Sequence, residues 1–148
     1  MRTQTIFLLL LCAAFYCACT DDVKTDDRGV TVKVGTTCEG APSLVRLEVL
    51  GDKLIHVSAT HERKFADPGS LVILPLSADV PFEVAQKGDT VVLTTSSVRA
   101  NILKSTGEVW FTDAEGRMIL QEQRGGGKRF VPIEVEGTEG YSFSQVFE

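Results

Sequence analysis

Apolar and polar side chains alternate along most of the chain from Ser43 to Phe147. An alternation with a period of two places successive side chains on opposite faces of a β-strand. Gly-Asp pairs and other glycine-containing turns separate the runs, and no run has the 3.6-residue period of a helix. Runs at intervals of about 8–12 residues predict an all-β fold, an antiparallel β-sandwich of about nine or ten strands.

The first predicted hairpin has a register that can be checked. A three-residue loop at residues 51–53 places Val49 opposite Ile55 and Glu48 opposite His56. A slip of one residue would turn every apolar side chain to the other face of the sheet. We therefore interpret His56 as the cross-strand partner of Glu48 on the outer face.

A second hairpin is predicted around Gly88 and Asp89. A two-residue loop at these positions pairs Val84 with Leu93, and glycine in the first loop position is typical of a type II′ turn. A short apolar run at residues 71–74, ended by a proline, predicts a further strand. Strands at residues 130–136 and 141–147 close the predicted ladder.

Three strands between these hairpins and the closing strands form a meander that is apolar on both faces. One face carries Ile102, Val109, Phe111, Met118 and Leu120, and the other carries Leu103, Trp110 and Ile119. A strand group that is apolar on both sides is normally covered on both sides. Leu103, Trp110 and Ile119 are therefore a candidate domain interface. For Trp110 three interpretations remain open, namely core residue, interface anchor and carbohydrate platform.

The N-terminus predicts export and lipid attachment. Residues 6–18 form an apolar stretch of 13 residues after a short basic start. A transmembrane helix needs about 20 apolar residues, so the stretch is typical of a signal peptide, here residues 1–18. Cys19 follows the small residue Ala18 and precedes polar residues, as in the lipobox of bacterial lipoproteins. We expect Cys19 to carry the lipid; the alternative is an ordinary cleaved secretory signal.

These features predict the organisation of the rest of the chain. Residues 19–28 are polar and charged and are expected to form a tether, and residues 29–148 a single β-sandwich domain whose first strand is at residues 29–34. The expected location is the outer membrane, on its periplasmic face or at the cell surface, with membrane contact through the lipid anchor alone.

Charge and cysteine content exclude some functions. The formal net charge of −5 argues against nucleic-acid binding, which needs a clustered basic face. Of the four cysteines, Cys12, Cys17 and Cys19 lie in or beside the leader. Cys38 would then be the one cysteine of the mature chain that carries no lipid, so no internal disulfide is expected. No histidine or aspartate lies near Cys38 at motif spacing, and we interpret it as an inert thiol.

No motif in the sequence carries recognisable chemistry. Residues 125–128, Gly-Gly-Gly-Lys, lack the spacing and the following helix of a phosphate-binding loop. Glu134 and Glu136 would share one strand face as solvated residues, with the neighbouring apolar residues facing inward. His56 and His61 have no third zinc ligand at a diagnostic spacing. We therefore assign no catalytic, cofactor-binding or metal-binding residue and expect no cofactor.

The chain nevertheless resembles a known family in the order and spacing of its segments. They are the hairpin LVRLEVLGDKLIHV (44–57), the segment FADPGSLVI (65–73), the turn DAEGR (113–117) and the closing segments FVPIE (130–134) and YSFSQVFE (141–148). Together they resemble the N-terminal β-sandwich domain of glycoside hydrolase family 31, and bacterial lipoproteins similar to α-xylosidases and α-glucosidases in particular.

The resemblance implies a galactose-mutarotase-like sandwich that leads into a catalytic (β/α)₈ barrel. The family's catalytic aspartates lie in that barrel, so none of them corresponds to a position of this sequence. The resemblance implies a non-catalytic domain, cut before the barrel, that takes part in carbohydrate metabolism only with the barrel as its partner, in cis or from a neighbouring reading frame. The alternatives are a free-standing surface lipoprotein that binds oligosaccharides and an interaction lipoprotein with no sugar role.

Overall fold

The structure is a computed structural model and describes residues 22–35, 38–66 and 80–148. Strands are the only regular elements among these residues, and every strand pairing is antiparallel. The strands are β1 (Val23–Thr25), β2 (Gly29–Lys33), β3 (Leu44–Gly51), β4 (Leu54–Thr60), β5 (Glu83–Lys87), β6 (Thr90–Thr94), β7 (Val98–Leu103), β8 (Val109–Asp113), β9 (Met118–Gln121), β10 (Lys128–Val135) and β11 (Thr138–Gln145).

The first sheet has the order β1-β2-β3-β4. Val49 pairs with Ile55 and Glu48 with His56, so the predicted register of the first hairpin is confirmed. The pairing shifts between Val49 and Gly51, which leaves one bulged residue before a tight turn at residues 52–53. The loop therefore has two residues and not the three that the sequence predicted. The bulge at Leu50 keeps the predicted pairs, and the apolar face of β3 stays buried.

Strand β1 lies within the stretch that the sequence predicted to be a tether. Val23 pairs with Val32, and Lys33 donates a backbone hydrogen bond of 2.7 Å to the carbonyl of Asp22. A tether is therefore the wrong description of Val23–Thr25, which form the edge strand of the first sheet. Three residues with one apolar side chain are too few for a period to be visible in the sequence.

The second sheet has the order β5-β6-β7-β8-β9, a simple meander. Val84 pairs with Leu93, as predicted. Gly88 has a φ of 60°, while Asp89 has no positive φ, and this combination is the one that a type II′ turn requires. The two-residue loop that the sequence predicted here is confirmed.

One apolar core lies between the two sheets. It is made of Val30, Val32, Val34, Val45, Leu47 and Val49 from the first sheet and its flank, and Val91, Leu93, Ala100, Ile102 and Val109 from the second. All eleven are buried, and burial alternates from residue to residue along β3 and β6. The prediction of an all-β sandwich is confirmed.

Strands β10 and β11 form a separate two-stranded hairpin with a turn at Glu136 and Gly137. Both turn residues have positive φ, 51° and 80°, as in a type I′ turn. The hairpin begins two residues earlier than predicted, at Lys128, and β11 begins at Thr138 rather than Tyr141. The predicted leader, the lipidation residue Cys19 and the predicted strand at residues 71–74 lie outside the described residues.

Candidate interaction surfaces

Trp110 and Leu103 lie on the outer face of the second sheet. Trp110 pairs with Asn101 on one side and Gln121 on the other, and it alternates with the buried core residue Val109. Its side chain is half-buried and does not belong to the core cluster. Of the three interpretations of Trp110, the structure therefore disfavours the core residue.

Ile119 does not share this face, and its predicted grouping with Leu103 and Trp110 is wrong. The pairing shifts from Phe111 opposite Leu120 to Thr112 opposite Met118, so Ile119 is a bulged residue. The same bulge turns Met118 to the side of Thr112, away from the core face to which the sequence assigned it. A bulge changes which face a strand residue occupies, and the period of two does not reveal it.

Ile119 lines an apolar cleft at one open end of the sandwich. The cleft has a volume of about 430 Å³ and is lined by Lys53, Leu54, Ile55, Ser97, Val98, Phe111, Ile119 and Leu120. It lies between the turn that joins β3 to β4 and the edge of the second sheet. Leu54 and Ile119 are more than half exposed.

The outer face of the first sheet carries charges instead of an apolar patch. Arg46 contacts Asp26 at 2.8 Å, Arg28 contacts Glu48 at 3.3 Å, and Nδ1 of His56 lies 3.7 Å from Glu48. Burial acts to raise the pKa of Asp26, but hydrogen bonds from Arg46, Arg28 and Gly29 and the charge of Arg46 outweigh it and lower the pKa. This face is a solvated network of ion pairs.

The hairpin has an inner face that turns toward the sandwich. The inner hairpin face consists of Lys128, Phe130, Pro132, Glu134, Glu139, Tyr141, Phe143 and Gln145. Phe130 and Phe143, with ring centroids 5.0 Å apart, line a cavity of about 180 Å³ together with Val57 and Ala59 of β4. His61 packs against Tyr141 at 5.4 Å.

A buried ion pair fixes the base of the hairpin to the second sheet. Lys128 Nζ lies 2.5 Å from Glu122 Oε1, and both side chains are almost completely buried. The amide of Val109 donates to the Glu122 carboxylate at 3.0 Å, and Gln145 donates to the same group. Lys128 also donates to the Gly107 carbonyl at 3.1 Å. Burial lowers the pKa of Lys128, although the charges of Glu122 and Glu108 oppose this.

This network shows what the Gly-Gly-Gly-Lys segment does. The ammonium group of Lys128 binds the Glu122 carboxylate in the interior. It does not face solvent, where a phosphate would bind. A Cβ on Gly127 would lie 2.5 Å from the Val146 carbonyl, so the close approach of these backbones requires glycine. The segment is therefore a tight structural junction between the hairpin and the second sheet.

The outer hairpin face points away from the sandwich. It consists of Arg129, Val131, Ile133, Val135, Thr138, Gly140, Ser142 and Ser144. Val131, Ile133 and Val135 are 43%, 41% and 58% exposed. The sequence predicted that Ile133 and Val135 face inward, and this is wrong because the inner face carries the aromatic residues.

The sequence predicted that Glu134 and Glu136 share one strand face, and this is wrong. Strand β10 ends at Val135, and Glu136 lies in the turn. Glu134 is opposite Glu139 instead, beside a cleft of about 550 Å³ that Tyr141 also lines.

Other candidate chemistry in the described residues is sparse. No group of three or more histidine, cysteine, aspartate or glutamate side chains converges there as a metal site. His61 lies against the aromatic rings of the hairpin, with Nδ1 3.2 Å from the Ala41 carbonyl. Within the same residues there is no helix with the length and apolar character that crossing a membrane requires.

Sequence reasoning missed the two contacts that hold the hairpin, namely the Glu122–Lys128 pair and the aromatic cluster around His61. One signal was present in the sequence. Lys128 and Phe130 have the same parity in a run that alternates, which places them on one strand face. The glycines before Lys128 obscured the start of the strand.

Comparison with solved structures finds a similar fold in other proteins. The GH31 α-xylosidase from Xanthomonas citri is 40% identical over 85% of this chain, with a TM-score of 0.74. This chain spans only 13% of that protein's length. The resemblance to family 31 that the sequence predicted is confirmed as a similarity to one segment of such an enzyme.

A second solved structure shows the fold alone. It is an uncharacterized protein from Listeria monocytogenes EGD-e in complex with α-D-glucose, β-D-glucose, magnesium and calcium. It is 16% identical, has a TM-score of 0.50, and matches 70% of this chain and 9% of its own. No protein-family model matches the chain.

Proposed function

Because this chain matches one segment of a GH31 α-xylosidase in both sequence and fold, we propose that it is a non-catalytic β-sandwich domain of an α-glycoside hydrolase. In this proposal the domain supports a catalytic barrel and takes part in carbohydrate metabolism only together with that barrel. The observation that carries the proposal is the 40% identity over 85% of the chain.

Site geometry supports a non-catalytic role. Glycosidases use a pair of carboxyl groups at about 5–9.5 Å, with an apolar environment that raises the pKa of the acid. In the described residues, Glu134 and Glu139 lie opposite each other on an exposed hairpin. Of the two buried carboxylates near the hairpin base, Glu122 is already bound by Lys128 and Gln145. Glu108 accepts hydrogen bonds from the Gly125 amide and from the Gln121 side chain. The contribution of the domain to catalysis is therefore support of the barrel.

A domain exchange tests this proposal. In the Xanthomonas citri α-xylosidase, the segment that matches this chain is replaced by residues 22–148. If the chain is the equivalent domain, the chimera is soluble and releases the chromophore from an aryl α-xyloside. A matched deletion of the same segment is the control and is expected to be insoluble or inactive. A chimera no better than the deletion would contradict the proposal.

We also propose that the chain is exported and anchored to the outer membrane through a lipid on Cys19. The support is the short apolar leader, the small residue before Cys19 and the polar residues after it. Strand β1 begins at Val23, four positions after Cys19. An extended chain rises at most about 3.6 Å per residue, so the anchor would hold the sandwich close to the membrane.

A further inference from the structure

The hairpin is attached to the sandwich through its inner face, and this attachment sets the direction of its outer face. The ion pair of Lys128 and Glu122 lies at the base, and the rings of Phe130, Tyr141 and His61 pack above it. Rings at centroid distances of 5–6.4 Å are in contact. The outer hairpin face therefore does not turn toward the core of the sandwich.

The outer hairpin face is an exposed apolar ridge beside a shallow trough. Val131 is opposite Ser142, Ile133 is opposite Gly140, and Val135 is opposite Thr138. All the large apolar side chains are on β10 and all the small ones are on β11. The height difference between the two strands can accept a complementary row of side chains from another polypeptide. That polypeptide would lie close over the small residues of β11 and exclude water there.

The chemistry of this surface selects among ligands. Arg129 at the base is its one charged side chain, and no aromatic ring lies on it. A sugar needs an aromatic platform or several hydrogen-bonding groups, and an anionic membrane needs a basic cluster. The surface has no aromatic platform and no basic cluster. Thr138, Ser142 and Ser144 supply hydroxyl groups beside the ridge, but the three branched aliphatic side chains are suited to packing against other aliphatic side chains. The fitting ligand is therefore a polypeptide surface.

The comparison indicates which polypeptide. The match covers 13% of the Xanthomonas citri enzyme, so about 87% of that chain lies outside it (100 minus 13). A two-stranded hairpin is at best marginally stable in water, and three or more strands or a covering layer are needed for independent stability. The remainder of such a hydrolase is the one polypeptide that would always be present beside this domain.

We propose that the outer hairpin face, with its ridge Val131, Ile133 and Val135, is the surface on which the remaining part of the same hydrolase packs. This inference rests on the proposed function and makes it specific. It assigns the docking role to the hairpin and not to the face of Leu103 and Trp110.

The test uses the chimera described above. Val131→Thr, Ile133→Thr and Val135→Thr are introduced together, because threonine keeps the branched shape that favours a strand and adds a hydroxyl. Three buried anchors should carry most of the contact energy, so the soluble α-xylosidase activity is expected to fall at least about tenfold. The matched control is Trp110→Ser, which should leave that activity within about twofold.

The same triple variant is made in the isolated chain. Here the ridge is exposed, so the thermal midpoint is expected to change little, while binding of a dye specific for apolar surfaces falls. A large loss of the midpoint would show that the ridge belongs to the domain's own core and would overturn the inference. A dimer of the isolated chain that the triple variant abolishes would make a second copy the partner and would also overturn it.

The two proposals fail in different ways. An active parent chimera whose activity survives the triple variant overturns the docking assignment and leaves the proposed function intact. An active parent chimera that Trp110→Ser inactivates moves the docking surface to the second sheet. A parent chimera no better than the segment deletion overturns the proposed function and, with it, the docking partner.

Discussion

At the scale of single residues, the ion pair of Glu122 and Lys128 shows how the fold compensates buried charges. Among the described residues, every buried side-chain nitrogen and oxygen has a hydrogen-bond partner. A buried ion pair gains little over apolar residues of the same volume, but removing one partner leaves an uncompensated charge. The pair therefore specifies where the hairpin attaches more than it adds stability.

We expect Lys128→Met to lower the free energy of unfolding by about 3–5 kcal/mol, because the carboxylate of Glu122 stays buried without its cation. Urea denaturation of the isolated chain measures this. The double variant Glu122→Met, Lys128→Met should lose less than the sum of the two single losses, since it removes both charges. Additive losses would show that the two side chains do not interact.

A second residue-scale prediction concerns the pH dependence of stability. The pKa of Asp26 is lower in the folded chain than that of an ordinary aspartate side chain. The stabilising contribution of its carboxylate is therefore complete above about pH 4 and is lost as the pH falls through the folded pKa. Asp26→Asn should lower stability at pH 7 and flatten the loss of stability below pH 4, relative to the parent chain. Thermal midpoints measured between about pH 2 and pH 7 show whether the two curves converge in acid.

At the scale of elements, the turn of the β10–β11 hairpin holds a residue poorly suited to it. Glu136 has a φ of 51°, a left-handed conformation that costs a residue with a side chain about 1 kcal/mol. Asparagine followed by glycine is the preferred pair for a type I′ turn. Glu136→Asn should therefore raise the thermal midpoint, while Glu136→Ala removes the same charge without this gain. Equal midpoints for the two variants would contradict the argument.

The sequence predicted those elements in which period and turn residues agree. The registers of Val49 with Ile55 and of Val84 with Leu93 follow from alternation and from the number of residues in each loop. The bulge at Ile119 could not be predicted, because both registers bury some apolar side chains. Strand β1 could not be predicted either, because it is too short to show a period. Its extended conformation is stabilised by pairing with β2.

The candidate surfaces were harder to predict than the fold. Whether an apolar strand face is core or exposed depends on which element packs on it, and alternation alone gives no sign of that. Trp110 was placed correctly on a second face, but the exposed ridge at Ile133 was expected to point inward. The aromatic rings of the hairpin contact His61 and so orient the hairpin. His61 lies about 70 positions away along the chain, which alternation within the hairpin does not reveal.

At the scale of the whole molecule, we expect the isolated chain to have no glycosidase activity. The general acid and nucleophile of such chemistry have no counterpart among the described residues, where Glu134 and Glu139 are exposed. Incubation with aryl α-xyloside and α-glucoside should release no chromophore above background. Release that is lost on Glu134→Gln or Glu139→Gln would contradict this expectation.

Lipid attachment is a further prediction for the whole molecule. Growth with a palmitate analogue should label the parent chain and fail to label Cys19→Ala. Labelling that moves to Cys17 in the variant would relocate the site, and unchanged labelling of Cys19→Ala would contradict it. Cys38→Ala is the matched control, since it removes a cysteine that lies outside the leader.

The attachment of the hairpin at one end has a consequence for how the molecule opens. The buried pair anchors only the base, where Lys128 is opposite Gln145, while the turn at Glu136 and Gly137 lies at the far end of eight paired residues per strand. Amide exchange with solvent should therefore be fastest at the tip and slow progressively toward the base, because the hairpin opens from its turn. A protease that cuts the tip would leave two strands still held by the junction. The two fragments would therefore migrate together on a native gel and separate only after denaturation.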